Sequence, residues 1–270
     1  MVILPPSAPS GFKGPAYYND CIGPLCFGPF AVDLVRRLPN RPPGDVLEIA
    51  CGTGLVTRWL RQRVDAALRV VATDLSAAML DYARGKLGSG KGIEWQQADA
   101  LELPFEDNMF GAIVCGFGIM FVPDRLAMLK EARRVLARDG ILLFNVWDRI
   151  EENPHAAVNA AVLEAMFPGD VEMRFRTPYD MYDPEHLRQL LSGAGFRETL
   201  IETKRIAIEG ADPIAIATGQ LRGTPRSALL EKRGVSLDMV IGKVADALAA
   251  AGGNPYSGYG QAIIVQARAI

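Results

Sequence analysis

Between residues 45 and 150, short apolar runs alternate with stretches whose apolar residues recur at helical spacing, and this alternation limits the chain to few folds. DVLEIA reads as a strand, CGTG as a tight turn, and LVTRWLRQRV as a helix. LRVVATDL then gives a second strand, with Ser76 as the N-cap of the helix AAMLDYARGKL. GIEWQQADA is a weaker strand before a polar turn holding Pro104 and Asp107-Asn108. FGAIVCGFG is a fourth strand, Pro123-Asp124 opens the helix RLAMLKEARRVLA, and ILLFNVW is the fifth strand beyond the Asp139-Gly140 turn. Apolar strands joined by amphipathic crossovers call for a parallel sheet covered on both faces, so the expectation is a doubly wound α/β core.

The rest of the chain is less regular. Residues 1 to about 15 read as a loose tail, and Phe30, Ala31, Leu34, Val35 and Leu38 mark a helix that stops at PNRPPG. After residue 150, HAAVNAAVLEAMF is helical and Asp183-Pro184-Glu185 starts another helix. FRETLIETKRIAI and QAIIVQARAI read as strands, separated by a helical insertion at about 210–260 worded DPIAIATGQLRG and SLDMVIGKVADALAAAG. The expected division is a tail and cap helix over 1–44, a ligand-binding core over 45–150, and a C-terminal half over 151–270.

Composition narrows the function. Of the 270 residues, 49% are hydrophobic and 22% charged, as in ordinary globular proteins, and a net charge of −2 without long like-charge blocks argues against a nucleic-acid partner. No run reaches the roughly 18 apolar residues of a membrane span. The opening segment lacks the basic start and unbroken apolar run of a signal peptide. Cys21, Cys26, Cys51 and Cys115 are scattered, with no metal-ligand spacing, and read as reduced thiols of a cytoplasmic protein without a metal.

In an open α/β sheet, ligands bind beyond the carboxyl ends of the strands, and the informative residues fall there. Gly52 and Gly54, after the first strand, let the backbone turn and approach a ligand. Asp74 ends the second strand, where a carboxylate accepts from both ribose hydroxyls of an adenosine. A dinucleotide fingerprint requires glycine at position 57, but the residue is Thr57. Glu48, inside the first strand, disfavours a diphosphate and suits a cofactor with a positive charge and an amino group. Asp99-Ala100 at the third strand's end suits an adenine amine, and Cys115-Gly116-Phe117-Gly118 forms a small-residue turn after the fourth.

VLEIACGTG, VVATDLSAAML, WQQADALELPF, FGAIVCGFGIMFVPD and RVLARDGILLFNVWD, in this order, resemble the successive motifs of class I S-adenosylmethionine-dependent methyltransferases. The likeness is strongest to the small-molecule branch with the ubiquinone and menaquinone methyltransferases, and covers about residues 45–150 well and 183–204 more loosely. It implies a Rossmann-like, mostly parallel seven-stranded sheet with an antiparallel final strand. It further implies S-adenosyl-L-methionine as cofactor, S-adenosyl-L-homocysteine as product, and a small-molecule acceptor; the expected assembly is a monomer or homodimer, a choice the sequence leaves open. By the same resemblance, Glu48, Ala50, Gly52, Thr53 and Gly54 surround the methionine end, and Asp74 takes the ribose. Leu75 and Met79 lie against adenine, Asp99 and Ala100 define its edge with Leu101 nearby, and Gly116 and Phe117 face the methionine portion. Tyr18 belongs to a segment that in relatives folds over the cofactor. Ala50 departs from a common glycine, and Asn19 from a common aspartate.

Methyl transfer from a sulfonium is an in-line displacement, so proximity and exclusion of water carry most of the catalysis and a general base is needed only when the nucleophile must lose a proton. His155 is the candidate base, while His186, in the first turn of a helix, reads as a solvated surface residue. Phe121 and Arg222 are acceptor-site candidates. Phe117 and Met120 read equally well as pocket or core, and Arg174 and Arg176 as an anion clamp or solvated charges. Two other readings remain open. One is a non-catalytic S-adenosylmethionine-binding protein. The other is a nicotinamide oxidoreductase, disfavoured by Thr57 and by the lack of a Tyr-x-x-x-Lys pair after the fifth strand.

Overall fold

The computed structural model describes residues 14–88, 90, 92–173 and 176–269; most of the expected tail and the candidate Arg174 lie outside them. Seven strands, β1 (Val46–Ile49), β2 (Val70–Asp74), β3 (Ile93–Gln97), β4 (Phe110–Gly116), β5 (Leu136–Trp147), β6 (Phe196–Ala211) and β7 (Tyr256–Ala269), form one sheet. Its order is β3-β2-β1-β4-β5-β7-β6. The first five strands run parallel, whereas β7 is antiparallel to both neighbours, as the family resemblance implied.

In chain order the helices are α1 (Gly14–Tyr17), α2 (Gly28–Arg36), α3 (Thr57–Arg63), α4 (Ala77–Leu87), α5 (Arg125–Val135), α6 (Pro154–Met166), α7 (Pro184–Gly193), α8 (Pro213–Arg222), α9 (Arg226–Lys232) and α10 (Leu237–Gly252). Ser76 caps α4 by accepting from the Met79 N–H, and Asp124 caps α5 by accepting from Ala127. Strand order reverses between β1 and β4. The crossovers therefore leave in opposite directions there, which opens a crevice at the carboxyl ends of these two strands.

Two differences from the sequence reading matter. The chain from Tyr18 to Phe27 is a ten-residue π-helical segment, a form without a simple apolar period to betray it. The insertion between β6 and β7 holds a third helix, α9, whose wording RSALLEK looks polar although Arg226, Ser227 and Leu230 are buried.

Apolar side chains separate into two main cores. One packs the sheet between its helices: Leu34, Leu47, Leu60, Phe110, Ile113, Met128 and Phe144 are all buried in it. The other forms a cap, in which Ile22 and Cys26 of the π-helical segment meet Leu163 of α6, Ile216 and Leu221 of α8, and Val240, Val244 and Leu248 of α10. The cap is tightly closed. A Cβ on Gly219 would lie 2.6 Å from Ile22 Cγ2, and one on Gly223 2.7 Å from the Tyr18 nitrogen, so α8 needs glycine at both places to touch the N-terminal segment.

Candidate functional site

The turn from β1 into α3 is built from backbone that L-residues rarely adopt. Ala50, Gly52 and Gly54 have φ of +56°, +55° and +83°. Ala50 therefore occupies a left-handed position that costs an L-residue about 1 kcal/mol, which accounts physically for glycine in many relatives. The two glycines do different work. A Cβ at Gly52 would meet nothing within 4 Å, whereas one at Gly54 would sit 2.9 Å from Leu87 Cδ1 and 3.3 Å from Ala83 of α4. Gly52 keeps a surface open; Gly54 lets a helix pack.

Asp74 holds this turn in place. Its carboxylate accepts from the Gly52 N–H and the Ser76 N–H, both at 2.8 Å. Burial raises its pKa, and the N–H groups of Ser76, Gly52 and Leu75 pull it part of the way back. Each carboxylate oxygen retains room for a further donor. Glu48 is fully buried, its Oε2 has no hydrogen-bond partner, and burial pushes its carboxyl up to about 8, with Thr57 lowering it and the charge of Asp74 raising it. The buried Thr53 hydroxyl also lacks a partner. Unmet polar groups around a turn with an open face are groups that a polar ligand can satisfy.

On the far side, the Gln97 side-chain amide donates to the Leu75 carbonyl at 2.8 Å, tying the ends of β2 and β3 together. Asp99 is exposed and accepts from the Leu101 N–H at 2.9 Å, with Ala100 between them. Leu75 is exposed and Met79 half-buried. At the end of β4, Gly116 is needed because a Cβ would lie 2.8 Å from Val56 Cγ2. Phe117 follows with φ +55°, its N–H held by Asn145 Oδ1 at 2.9 Å.

Beyond Phe117 the rings continue. Phe117 stacks on Trp147 at 4.2 Å between centroids, and Trp147 in turn lies 6.3 Å from Tyr179. Phe27 and Phe30 meet the Phe117–Trp147 pair edge-on at 5.3 to 5.6 Å. Tyr18 lies 4.9 Å from Phe27, and its hydroxyl is raised above its ordinary value by burial first and then by Cys26, Tyr179 and Asp74. Tyr18 thus packs on Phe27, one ring away from the Phe117–Trp147 pair. A surface cleft of 260 Å³, lined by Arg149, Arg176, Tyr179 and Tyr182 among others, reaches the same wall from outside.

The structure thus brings Tyr18, Glu48, Ala50, Gly52, Thr53, Gly54, Asp74, Gly116 and Phe117 to neighbouring strand ends, with Leu75, Met79, Asp99, Ala100 and Leu101 along the β2–β3 side. It leaves other candidates elsewhere. Arg222 is paired with Asp238 and lies over the Tyr17 ring, Phe121 is exposed on a short turn, and His186 is exposed on α7. Met120 is buried and its sulfur accepts from the Trp147 N–H, while Arg176 pairs with Glu151 at 3.6 Å. All four cysteines are free thiols. Among the described residues no His, Cys, Asp and Glu cluster is arranged to hold a metal, and no helix is long and apolar enough to cross a membrane.

His155 is buried, with burial driving its pKa down to about 4. The sequence reading missed its company. Gln220 Nε2 lies 3.0 Å from His155 Nδ1, Asn159 Nδ2 donates to Gln220 Oε1 at 2.6 Å, and Arg226 Nη1 donates to Asn159 Oδ1 at 2.9 Å. Asn159, spaced four residues from His155, was the one available signal, since both fall on one face of α6.

Known proteins resemble this chain in sequence and fold. Residues 47–144 match the family described as a methyltransferase domain. A demethylmenaquinone methyltransferase of Staphylococcus aureus is 40% identical over 110 residues, which span 41% of this chain and 46% of that relative, so the chain matches about half the length of its curated relative. Among solved structures, the [4+2]-cyclase SpnF superposes with a TM-score of 0.62 at 18% identity, covering 96% of this chain and 93% of that one. A Haemonchus contortus phosphoethanolamine N-methyltransferase 2, solved with phosphomonomethylethanolamine and S-adenosylhomocysteine, superposes with a TM-score of 0.61 at 18% identity, over 96% of this chain and 57% of that one. Residues 47–144 thus match a methyltransferase domain, set within a longer chain that has the Rossmann-like fold of these solved structures.

Proposed function

We propose that this chain transfers a methyl group from S-adenosylmethionine to a small-molecule acceptor. One observation carries the reading: Glu48 and Asp74, both poorly solvated carboxyl groups, flank a turn whose Gly52 face is open. Bound there, the cofactor supplies a carbon already activated by a positive sulfur. Asp74 would accept from the ribose hydroxyls, and Glu48 and the Thr53 hydroxyl would meet the amino-acid end. A cation entering the site favours the ionised form of Glu48, so binding expels the proton that burial retains. Leu75 and Met79 would cover adenine and Asp99 would take its amine.

The acceptor would be held between Tyr18 and the Phe117–Trp147–Tyr179 rings, with the cap excluding water. Transfer then rests on proximity and alignment, and a neutral His155 buried at a pKa of about 4 is a poor base near pH 7. The match to a demethylmenaquinone methyltransferase supports a ring-bearing acceptor. Calorimetry tests the cofactor half: S-adenosylmethionine and S-adenosylhomocysteine should bind and NADH should not. Transfer of labelled methyl to a panel of small aromatic acceptors tests the other half. Binding of the cofactor without transfer to any of them would instead favour a non-catalytic binder.

A further inference from the structure

The four-membered chain from Arg226 to His155 is directional, and its direction fixes the tautomer of the histidine. A guanidinium can only donate, so Asn159 must turn Oδ1 toward Arg226 and its amide nitrogen toward Gln220 Oε1. Gln220 must then present Nε2 to His155. The other end requires the same arrangement, because that nitrogen also donates to the His155 carbonyl oxygen at 3.2 Å, an atom that can only accept. The orientation is set from both ends and does not depend on which amide atom is drawn where. His155 Nδ1 is consequently an acceptor, and in the neutral ring the single proton sits on Nε2.

That Nε2 is buried and has no hydrogen-bond partner. In an imidazole the two nitrogens point to widely separated directions, so with Nδ1 on Gln220 of α8, Nε2 points away from that helix. The Trp147 ring lies edge-on to that of His155 at 6.1 Å between centroids, toward the far end of the range for such pairs and too long for the N–H to rest on the indole face. A buried donor without an acceptor is costly, because the water it gave up is not replaced. A tautomer imposed from two ends, with its donor left unmet beside the aromatic wall, is the arrangement of a recognition group.

We propose that His155 donates its Nε2–H to a carbonyl or phenolic oxygen of a flat, ring-bearing acceptor lodged against Trp147 and Tyr179. This rests on the methyl-transfer reading for the acceptor's fate, though not for its binding. The role is that of a donor: His155 selects and orients the oxygen and leaves the proton where it is. Gln220, Asn159 and Arg226 are positioning residues that act through it.

The chain has two histidines, so nitrogen-15 NMR of the labelled protein, with His186→Gln for assignment, reads the tautomer directly. The expected result is Nε2–H with Nδ1 unprotonated at pH 7, and the opposite tautomer would overturn the proposal. α-Tetralone and tetralin, the same bicycle with and without a carbonyl oxygen, are then titrated with and without S-adenosylhomocysteine. Tetralone should shift the His155 Nε2 resonance and bind about 10-fold more tightly than tetralin, as one hydrogen bond of about 1.4 kcal/mol gives. His155→Phe should abolish that preference and His155→Gln, whose amide nitrogen reaches the same place, should restore part of it. Equal binding of the two bicycles, binding of neither, or a preference that survives in His155→Phe would each sink the proposal. Calorimetry with S-adenosylhomocysteine on the same samples separates the outcomes: its failure counts against the cofactor reading and leaves the tautomer and the tetralone response standing.

Discussion

The β1–α3 turn and the cap are made by opposite means. The turn is backbone: three left-handed residues, two N–H groups on Asp74, and glycines wherever a side chain would intrude. The cap is side chains: an apolar core of helices threaded by one polar chain from Arg226 to His155. Backbone sites recognise what is common to every turnover and tolerate little variation. Side-chain sites can be rewritten residue by residue, and the proposed function accordingly assigns the cofactor to the turn and the choice of acceptor to the side chains of the ring wall and the cap.

The sharpest way to break this division is Asp74→Ala. It removes the acceptor of the Gly52 and Ser76 N–H groups together with the expected ribose contact, and loss of charge-assisted bonds of about 3 kcal/mol or more corresponds to at least a 100-fold loss of S-adenosylhomocysteine affinity. Calorimetry checks it. An affinity within a few-fold of wild type would show that the strand-end carboxylate is not the cofactor's anchor.

Asn159→Leu strikes the other side. It removes the donor to the Gln220 amide oxygen and the acceptor of the Arg226 Nη1 bond within the cap, at an expected cost of about 2–3 kcal/mol in stability. Denaturant titration measures that loss, and amide exchange should locate it in α6, α8 and α9. Cofactor affinity should move less than 3-fold. A large drop in that affinity would mean the cap and the turn are one site and not two.

The same contrast explains what the sequence revealed. Strand ends carrying Glu48, Asp74 and Asp99 were visible because a parallel sheet puts successive strand ends side by side, so linear spacing translates directly into geometry. The seven strands were legible for the same reason: period and punctuation are local properties. Arg226, Gln220 and Tyr179 were invisible because they come from separate stretches of chain, and nothing local distinguishes a buried arginine from a solvated one. The π-helical segment Tyr18–Phe27 escaped since its burial depends on α8 reaching it through Gly219 and Gly223. Arg222 attracted attention by charge, but the arginine that enters the cap lies four residues further on, one helical turn in number though on the next helix.

Within the turn, two glycines sharpen the argument at smaller cost. Gly54→Ala should lower stability by about 2 kcal/mol, because a left-handed φ and a 2.9 Å clash with Leu87 act together. Gly52→Ala shares only the φ penalty, about 1 kcal/mol, yet its methyl enters the open face and should weaken cofactor binding more than Gly54→Ala does. Denaturant midpoints and calorimetry on the pair separate a packing glycine from a ligand-facing one. Equal effects of both substitutions on affinity would erase the distinction.

The last contrast is in pH. Glu48 has a native pKa of about 8 against an ordinary 4.5, so between those values the native state keeps a proton that the unfolded chain has released, and stability falls as pH rises through that window. His155, at about 4 against 6.5, does the reverse: the unfolded chain binds a proton that the native state refuses, and stability is lost as pH falls from 6.5 toward 4. From 4.5 to 6.5 the two oppose each other; from 6.5 to 8 only Glu48 acts, with a slope of at most about 1.4 kcal/mol per pH unit. Urea midpoints of wild type, Glu48→Gln and His155→Gln at pH 5, 6, 7 and 8 resolve the two contributions. Relative to wild type, Glu48→Gln should lose the decline above pH 6.5, whereas His155→Gln should lose only the weakening below it. If Glu48→Gln instead tracks wild type from pH 6.5 to 8, the carboxyl is already ionised in the folded chain, and the turn awaits no cation.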